Sequence, residues 1–223
     1  MNPVRRLSIL IGVLILLSFV FGVLSIEPSV DSDQYLDEIN SNIVQVKFAL
    51  LAQLGLAFIY VFIAILIFEF LKQYTSALSY SYLSFSIISQ IFNIIGTIAI
   101  FSLVLLSQQH NELKLDNNTI MHLGNSIKNI RDYCNHVLMI ITNCVASFFL
   151  SLMLLRTKII PTGISLLGLL GSVIAIIASV LVLYTKISVL STTYIVLNIP
   201  IVLQQLLFAL YLVIWGFRKI TTI

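Results

Sequence analysis

The chain has 223 residues, of which 59% are hydrophobic and only 9% charged, with a mean hydropathy of +1.07 and a net charge of +3. So little polar surface cannot solvate a folded globule of 25.0 kDa, which excludes an ordinary soluble domain. The small positive charge gives no reason to expect nucleic acid as a partner, because on the threading that the positive residues favour it is the sum of a basic inner rim and an acidic outer one.

Six apolar runs, about 7–26, 48–71, 81–106, 137–155, 160–184 and 191–217, are each about long enough to cross a bilayer core of about 30 Å as a helix. Glu69, two residues from an end, is the one charge inside them. The pattern predicts an all-α polytopic integral membrane protein, with residues 1–223 forming a single six-helix transmembrane domain. In the first run, Arg5, Arg6 and the ending Val23-Leu24-Ser25 also suit a secretory signal peptide. Its apolar core is longer than the usual 7–15 residues, so it is expected to remain as a first span.

The segment after it, about 27–46, carries Glu27, Asp31, Asp33, Asp37 and Glu38. Their irregular spacing matches no calcium loop and reads as a solvated acidic face. Between the third and fourth runs, Ile120, Leu123, Ile127, Ile130 and Cys134 recur at steps of three and four. This predicts an amphipathic extracytoplasmic helix lying on the membrane surface or capping the bundle, with His122, Asn125, Lys128 and Asp132 on its polar face. Asn117-Asn118-Thr119 fits a glycosylation acceptor, which matters only in a host that glycosylates. Cys134 and Cys144 give no disulfide framework.

Positive residues set the threading. With the amino terminus inside, Arg5, Arg6, Lys72, Arg156, Lys158, Arg218 and Lys219 are internal, against Lys47, Lys114, Lys128, Arg131 and Lys186 outside. Three of those outer five lie in one longer loop, so the bias favours both termini in the cytoplasm. All acidic residues except Glu69 then fall outside.

Polar residues within the runs carry the functional information. Ser86, Ser89, Gln90, Asn93, Gly96 and Thr97 share a face of the third; Asn143, Ser147 and Ser151 step by four in the fourth, with His136 a heptad above Asn143. The sixth adds Asn198, Gln204 and Gln205 around Pro200, whose missing amide donor loosens the helix. An amide facing lipid costs several kcal/mol, so Gln90, Asn93, Asn143, Ser147, Asn198, Gln204 and Gln205 should point inward. They form either interhelical hydrogen bonds of about 0.6 kcal/mol each or a polar pocket for a small neutral or weakly charged ligand. Gly168, Ser172, Ala175 and Ser179, and Ser18 with Gly22, read as close-packing positions.

Catalytic patterns are lacking. His110, His122 and His136 do not have metal-site spacing, and there is no nucleophile elbow, phosphate loop or pair of intramembrane carboxylates. His136 and Asp132, four residues apart, read as a helix-surface hydrogen bond.

The ending Pro200-Ile201-Val202-Leu203-Gln204-Gln205, Ala209-Leu210-Tyr211-Leu212 and Trp215-Gly216-Phe217 resembles a pattern of the bacterial six-span membrane proteins grouped as the domain-of-unknown-function 4386 family. Arg156 through Pro161 followed by Gly168-Leu169-Leu170-Gly171 is similar to that family's basic, Val-Pro, Gly-x-x-Gly connection. Arg131-Asp132-Tyr133 resembles its segment leading into the fourth span, and Arg5-Arg6-Leu7 through Gly22 its first span. The resemblance implies six helices, a retained first span and no established activity. Gln205 stands where the family usually has Glu, and Tyr211 where it has Trp; the Arg and Glu often found in its third span are absent. Those departures suggest a neutral hydrogen-bonded network in place of an ion pair.

The resulting expectation is a non-catalytic membrane module of a bacterial or archaeal cytoplasmic membrane, binding a small or lipidic ligand in its polar interior or serving as an accessory subunit. A small-molecule transporter and a membrane-embedded enzyme are the alternatives. Expected partners are the lipid bilayer, a small-molecule or lipid ligand and a membrane protein, with no cofactor. A reporter fused after Ile223 should be cytoplasmic and one near Asp33 external; external labelling of the carboxy terminus would overturn the threading.

Overall fold

The computed structural model describes residues 2–109, 117–189 and 191–218. Its helices are α1 (Pro3–Leu24), α2 (Tyr35–Ser41), α3 (Ile43–Leu71), α4 (Ser76–Gln109), α5 (Asn117–Asp132), α6 (Met139–Thr157), α7 (Thr162–Leu183) and α8 (Thr192–Ile214). A 3-10 turn at Pro28–Val30 follows α1, and a π-helical turn at Tyr133–Leu138 joins α5 to α6. No strand occurs among the described residues. Six helices are long and apolar enough to span a membrane: α1, α3, α4, the continuous Asn118–Thr157, α7 and α8. Hydrocarbon offers no partner to a backbone amide, so each such segment must close its own hydrogen bonds as a helix. Large side chains such as Val44, Phe58 and Leu170 stand outward, as a lipid-facing surface requires.

Local chemistry sets the helix ends. Asn2 caps α1 by accepting from the Val4 amide at 3.1 Å, with Pro3 at the first helical position. Lys158, at φ 53°, stops α6 in a left-handed turn before Pro161 opens α7. Gly216, at φ 76°, turns the chain beyond α8, so Trp215-Gly216-Phe217 lies outside the helix rather than within the sixth run. Pro200 does not interrupt α8. There α7 presses its Gly171 onto α8: a Cβ at that position would lie 2.8 Å from the Ile201 nitrogen.

The spans form a ring in chain order, α1–α3–α4–α6–α7–α8, closed by α8 against α1. Small residues set its spacing. Gly168 admits Ser151 and Gln204, and a Cβ on Gly12 would lie 2.8 Å from the Ala209 carbonyl. Gly22 is not a packing glycine: nothing lies within 4 Å of the Cβ it would carry. Ser18 is buried, its hydroxyl turned back to the Ile15 carbonyl.

The start of α1 and the end of α8 lie at the same end of the ring. There the Arg5 guanidinium donates to the carbonyls of Leu212, Val213 and Ile214 at 2.8, 2.7 and 2.9 Å, neutralising the negative terminus of α8. The Phe217 amide donates to Ser8 Oγ at 3.1 Å, and the Phe217 ring stacks on Phe70. Ile11, Ile63, Ile67, Leu71, Met153 and Leu212 fill this half as a continuous apolar core.

At the opposite end α4 and Asn118–Thr157 outrun the bilayer. The 34 residues of α4 extend about 50 Å against a core of about 30 Å. Helix α5 is therefore the overhang of the fourth span, not a separate surface helix. Its buried side differs from the apolar stripe expected of it. Ile120, Gly124, Arg131 and Cys134 are buried, whereas Leu123 and Ile130 are exposed. Gly124 is needed because the Tyr35 ring sits on it. Arg131 is buried because it bridges two carboxylates at 2.7 Å, Asp31 before α2 and Asp132 beside it. The acidic segment is thus only partly a solvated face: Asp31 holds Arg131, and Glu27 caps the 3-10 turn. Asn117's side chain and residues 110–116, including His110 and Lys114, lie outside the described residues.

Two glycines give a paired test of the packing. Gly171→Leu should destabilise by about 1–3 kcal/mol, since α7 must leave α8. Gly163→Ala, with nothing within 4 Å, should be neutral or gain up to about 1 kcal/mol. Thermal unfolding in detergent measures both.

Candidate functional site

In the half of the ring away from the chain ends, the helices part around a cavity of about 440 Å³. That size falls within the range of small-molecule sites. Gln90 and Asn93 of α4, Asn143 of α6, and Asn198 and Gln205 of α8 line it, with Tyr60 of α3 opposite. A narrow annex of about 50 Å³ continues deeper, lined by Ser86, Ser147 and Gln204 together with Tyr60, Gln90, Asn143 and Gln205, which border both spaces. Every amide or hydroxyl singled out from the sequence as an interior site residue therefore borders one of the two.

Not every polar position of the same stripes arrives there. Successive residues along a helix turn by about 100°, so a step of four overshoots a full turn by about 40°. Two such steps carry Ser151 away from the line of Asn143 and Ser147, and it packs on Gly168 of α7 instead. Gly96 seats the Asn135 side chain from the π-helical turn, and Thr97 bonds back to the Asn93 carbonyl at 2.9 Å.

The hydrogen bonding separates two groups of amides. Gln53 of α3 donates to Asn93 Oδ1 at 2.8 Å, and Asn93 donates to Gln90 Oε1 at 3.3 Å, forming a buried chain between α3 and α4. Asn198 donates to the Tyr194 carbonyl on its own helix at 2.9 Å. Among the described residues, Asn143, Ser147, Gln204 and Gln205 make no side-chain hydrogen bond to protein, and all four border the cavity or the annex. The network expected across the bundle is thus confined to its α3–α4 side.

The π-helical turn shapes the upper wall. His136 within it borders the cavity on the same side as Asn143, seven residues further on. The Tyr194 hydroxyl donates to the His136 carbonyl at 2.8 Å, tying α8 to this turn, and Ser89 Oγ donates to the Met139 carbonyl at 3.0 Å. Asp132 is held by Arg131, so the helix-surface bond expected between His136 and Asp132 is replaced by an ion pair and a cavity-facing imidazole. Among the described residues, no Asp, Glu, Lys or Arg lines either space. No group of three metal-ligating side chains occurs among the described residues, and Cys134 and Cys144 are both free.

Sequence reasoning missed Gln53, Tyr60, Tyr82 and Tyr194. Gln53, the lone amide in the second apolar run, was findable by the same cost argument that singled out Gln90. The tyrosines were not, since Tyr suits both membrane interfaces and interiors.

The two groups of amides should respond differently to removal. Gln53→Leu should cost about 1 kcal/mol of stability, because a buried interhelical bond is lost. Asn143→Leu should leave the unfolding temperature unchanged or raised, because that side chain bonds nothing in the protein. Equal losses in both would contradict the division.

Comparison with curated proteins and with solved structures returns no match. A family model described as domain of unknown function (DUF4386) matches residues 10–216, from within α1 to the turn after α8. The chain belongs to the DUF4386 family of unknown function.

Proposed function

We propose that this protein is a non-catalytic membrane module that binds a small uncharged ligand between its helices. The observation that carries the reading is the set of cavity-facing amides, Asn143, Gln204 and Gln205, with hydrogen-bonding capacity that no protein group uses. Asn143 and Gln205 are half-buried, and a ligand carrying hydroxyl or carbonyl groups would meet the hydrogen bonds they leave open, each worth about 0.5–1.5 kcal/mol. The uncharged lining favours an uncharged ligand, because an ion would enter unpaired. Binding is favoured over transport by the apolar floor of the annex, where Ile63, Ile67 and Phe208 belong to the hydrophobic core on the side of the chain ends. Catalysis is disfavoured by the absence of a carboxylate or amine near the amides.

The orientation follows from charge. Arg5, Lys72, Arg156, Lys158 and Arg218 stand at the end of the ring that holds the start of α1 and the end of α8. By the positive-inside bias this end faces the cytoplasm of a bacterial or archaeal cell, and the cavity lies toward the outer leaflet.

Native mass spectrometry of gently purified protein tests the binding reading. A co-purifying molecule should be retained, and Asn143→Leu or Gln205→Leu should each lower its occupancy about fivefold, the equivalent of one hydrogen bond of about 1 kcal/mol. Retention unchanged in both folded variants would refute the pocket.

A further inference from the structure

The cavity has a side opening, and its position names a class of ligand. At the level of Gly12, α1 and α8 are in backbone contact, with Ala209 and Leu212 against the glycine. Gly22 lies ten residues further along α1, about 15 Å away. Antiparallel packing continued at the same spacing would bring α8 near Ile199 and Val202 to meet it, yet nothing lies within 4 Å of the Cβ it would carry. The divergence has a cause in α1 itself: Phe21 lays its ring on Gly55 of α3, drawing this half of α1 toward α3 and away from α8.

The gap opens sideways. Val23 on α1, Ile26 just beyond its end and Val202 on α8 border the cavity while being 68%, 68% and 47% exposed, so they stand at a mouth. Over the α8 edge, Tyr194, Asn198 and Val202 also border a second space of about 480 Å³ on the outward face of α8. This groove is floored by Ile195, Ile199, Leu203 and Leu206. A chamber bordered by amides inside the ring and an apolar groove outside it thus share a rim.

The geometry points to a lipid-soluble amphiphile as the ligand, its small uncharged hydroxyl- or carbonyl-bearing head among Asn143, Asn198 and Gln205 and its single apolar chain passing between α1 and α8 into the groove. This rests on the binding reading above and adds the ligand class and its path. Amides both donate and accept, so they suit a hydroxyl or ester head. No Lys or Arg lines the chamber to receive a phosphate or carboxylate, so phospholipids and fatty acids are disfavoured. The chain stays within an apolar surface throughout, and each buried CH₂ contributes about 0.8 kcal/mol relative to water.

The test uses the protein in phosphatidylcholine nanodiscs and a diazirine-bearing monoacylglycerol with a sixteen-carbon chain. In the unaltered protein, photolabelling should map to the peptides bearing Gly22–Ile26 and Asn198–Leu206, and unlabelled monoacylglycerol should compete where palmitate does not. Gly22→Trp and Val202→Trp should each cut labelling about tenfold, about 1.4 kcal/mol in affinity, while binding of water-soluble glycerol monobutyrate persists. Labelling of other faces in the unaltered protein, equal competition by palmitate, or full labelling in both folded Trp variants would overturn the inference and leave the pocket standing. Failure of Asn143→Leu to weaken either monoacylglycerol or monobutyrate binding would instead remove the pocket itself.

Discussion

Backbone contact at a few small residues fixes the distances between the six spans, and the interior is what remains where those contacts stop. Water cannot drive helices together inside a bilayer, so their association depends on close packing and on the few hydrogen bonds between them. Gly12 against Ala209, Gly168 against Ser151 and Gln204, and Gly171 against Ile201 supply that packing. They lock α1, α6, α7 and α8 at defined heights. Above Gly12 the α1–α8 contact lapses because Phe21 commits α1 to α3, and the ring opens there. A cavity bordered by amides is then tolerable, because its polar groups face a space rather than lipid hydrocarbon.

Two charged clusters close the ring at its ends. Arg5 gathers three carbonyls at the terminus of α8, fastening the first span to the last. At the other end Arg131 ties the segment after α1 to the overhanging α5 through Asp31. A buried guanidinium between two carboxylates adds little net stability but is costly to unpair, so it acts chiefly to fix one arrangement of the cap. The cap stands directly over the π-helical turn that forms the cavity's upper wall.

The helical class and the number of spans were legible because apolar runs of bilayer length admit one solution for the backbone. The inward direction of Gln90, Asn143 and Gln205 was legible because an amide in lipid is costly. Finer features depended on contacts that periodicity does not encode. The buried side of α5 follows Gly124 and Arg131, one a seat for Tyr35 and the other an ion-pair centre, and a hydrophobic count ranks neither as interior. The π-helical turn at Tyr133–Leu138, which carries His136, leaves no mark in the sequence. Gly22 and Gly12 look alike in the first run; what separates them is where Phe21 packs.

The central claim is that the amides of α6 and α8 face a shared space which a ligand completes. An experimental density map of the protein in lipid nanodiscs tests this most directly. The account predicts non-protein density within hydrogen-bond distance of both Asn143 and Gln205, continuous through the gap between α1 and α8. Asn143 and Gln205 bonded directly to each other, with α1 closed onto α8 at Gly22 and no density between them, would contradict it.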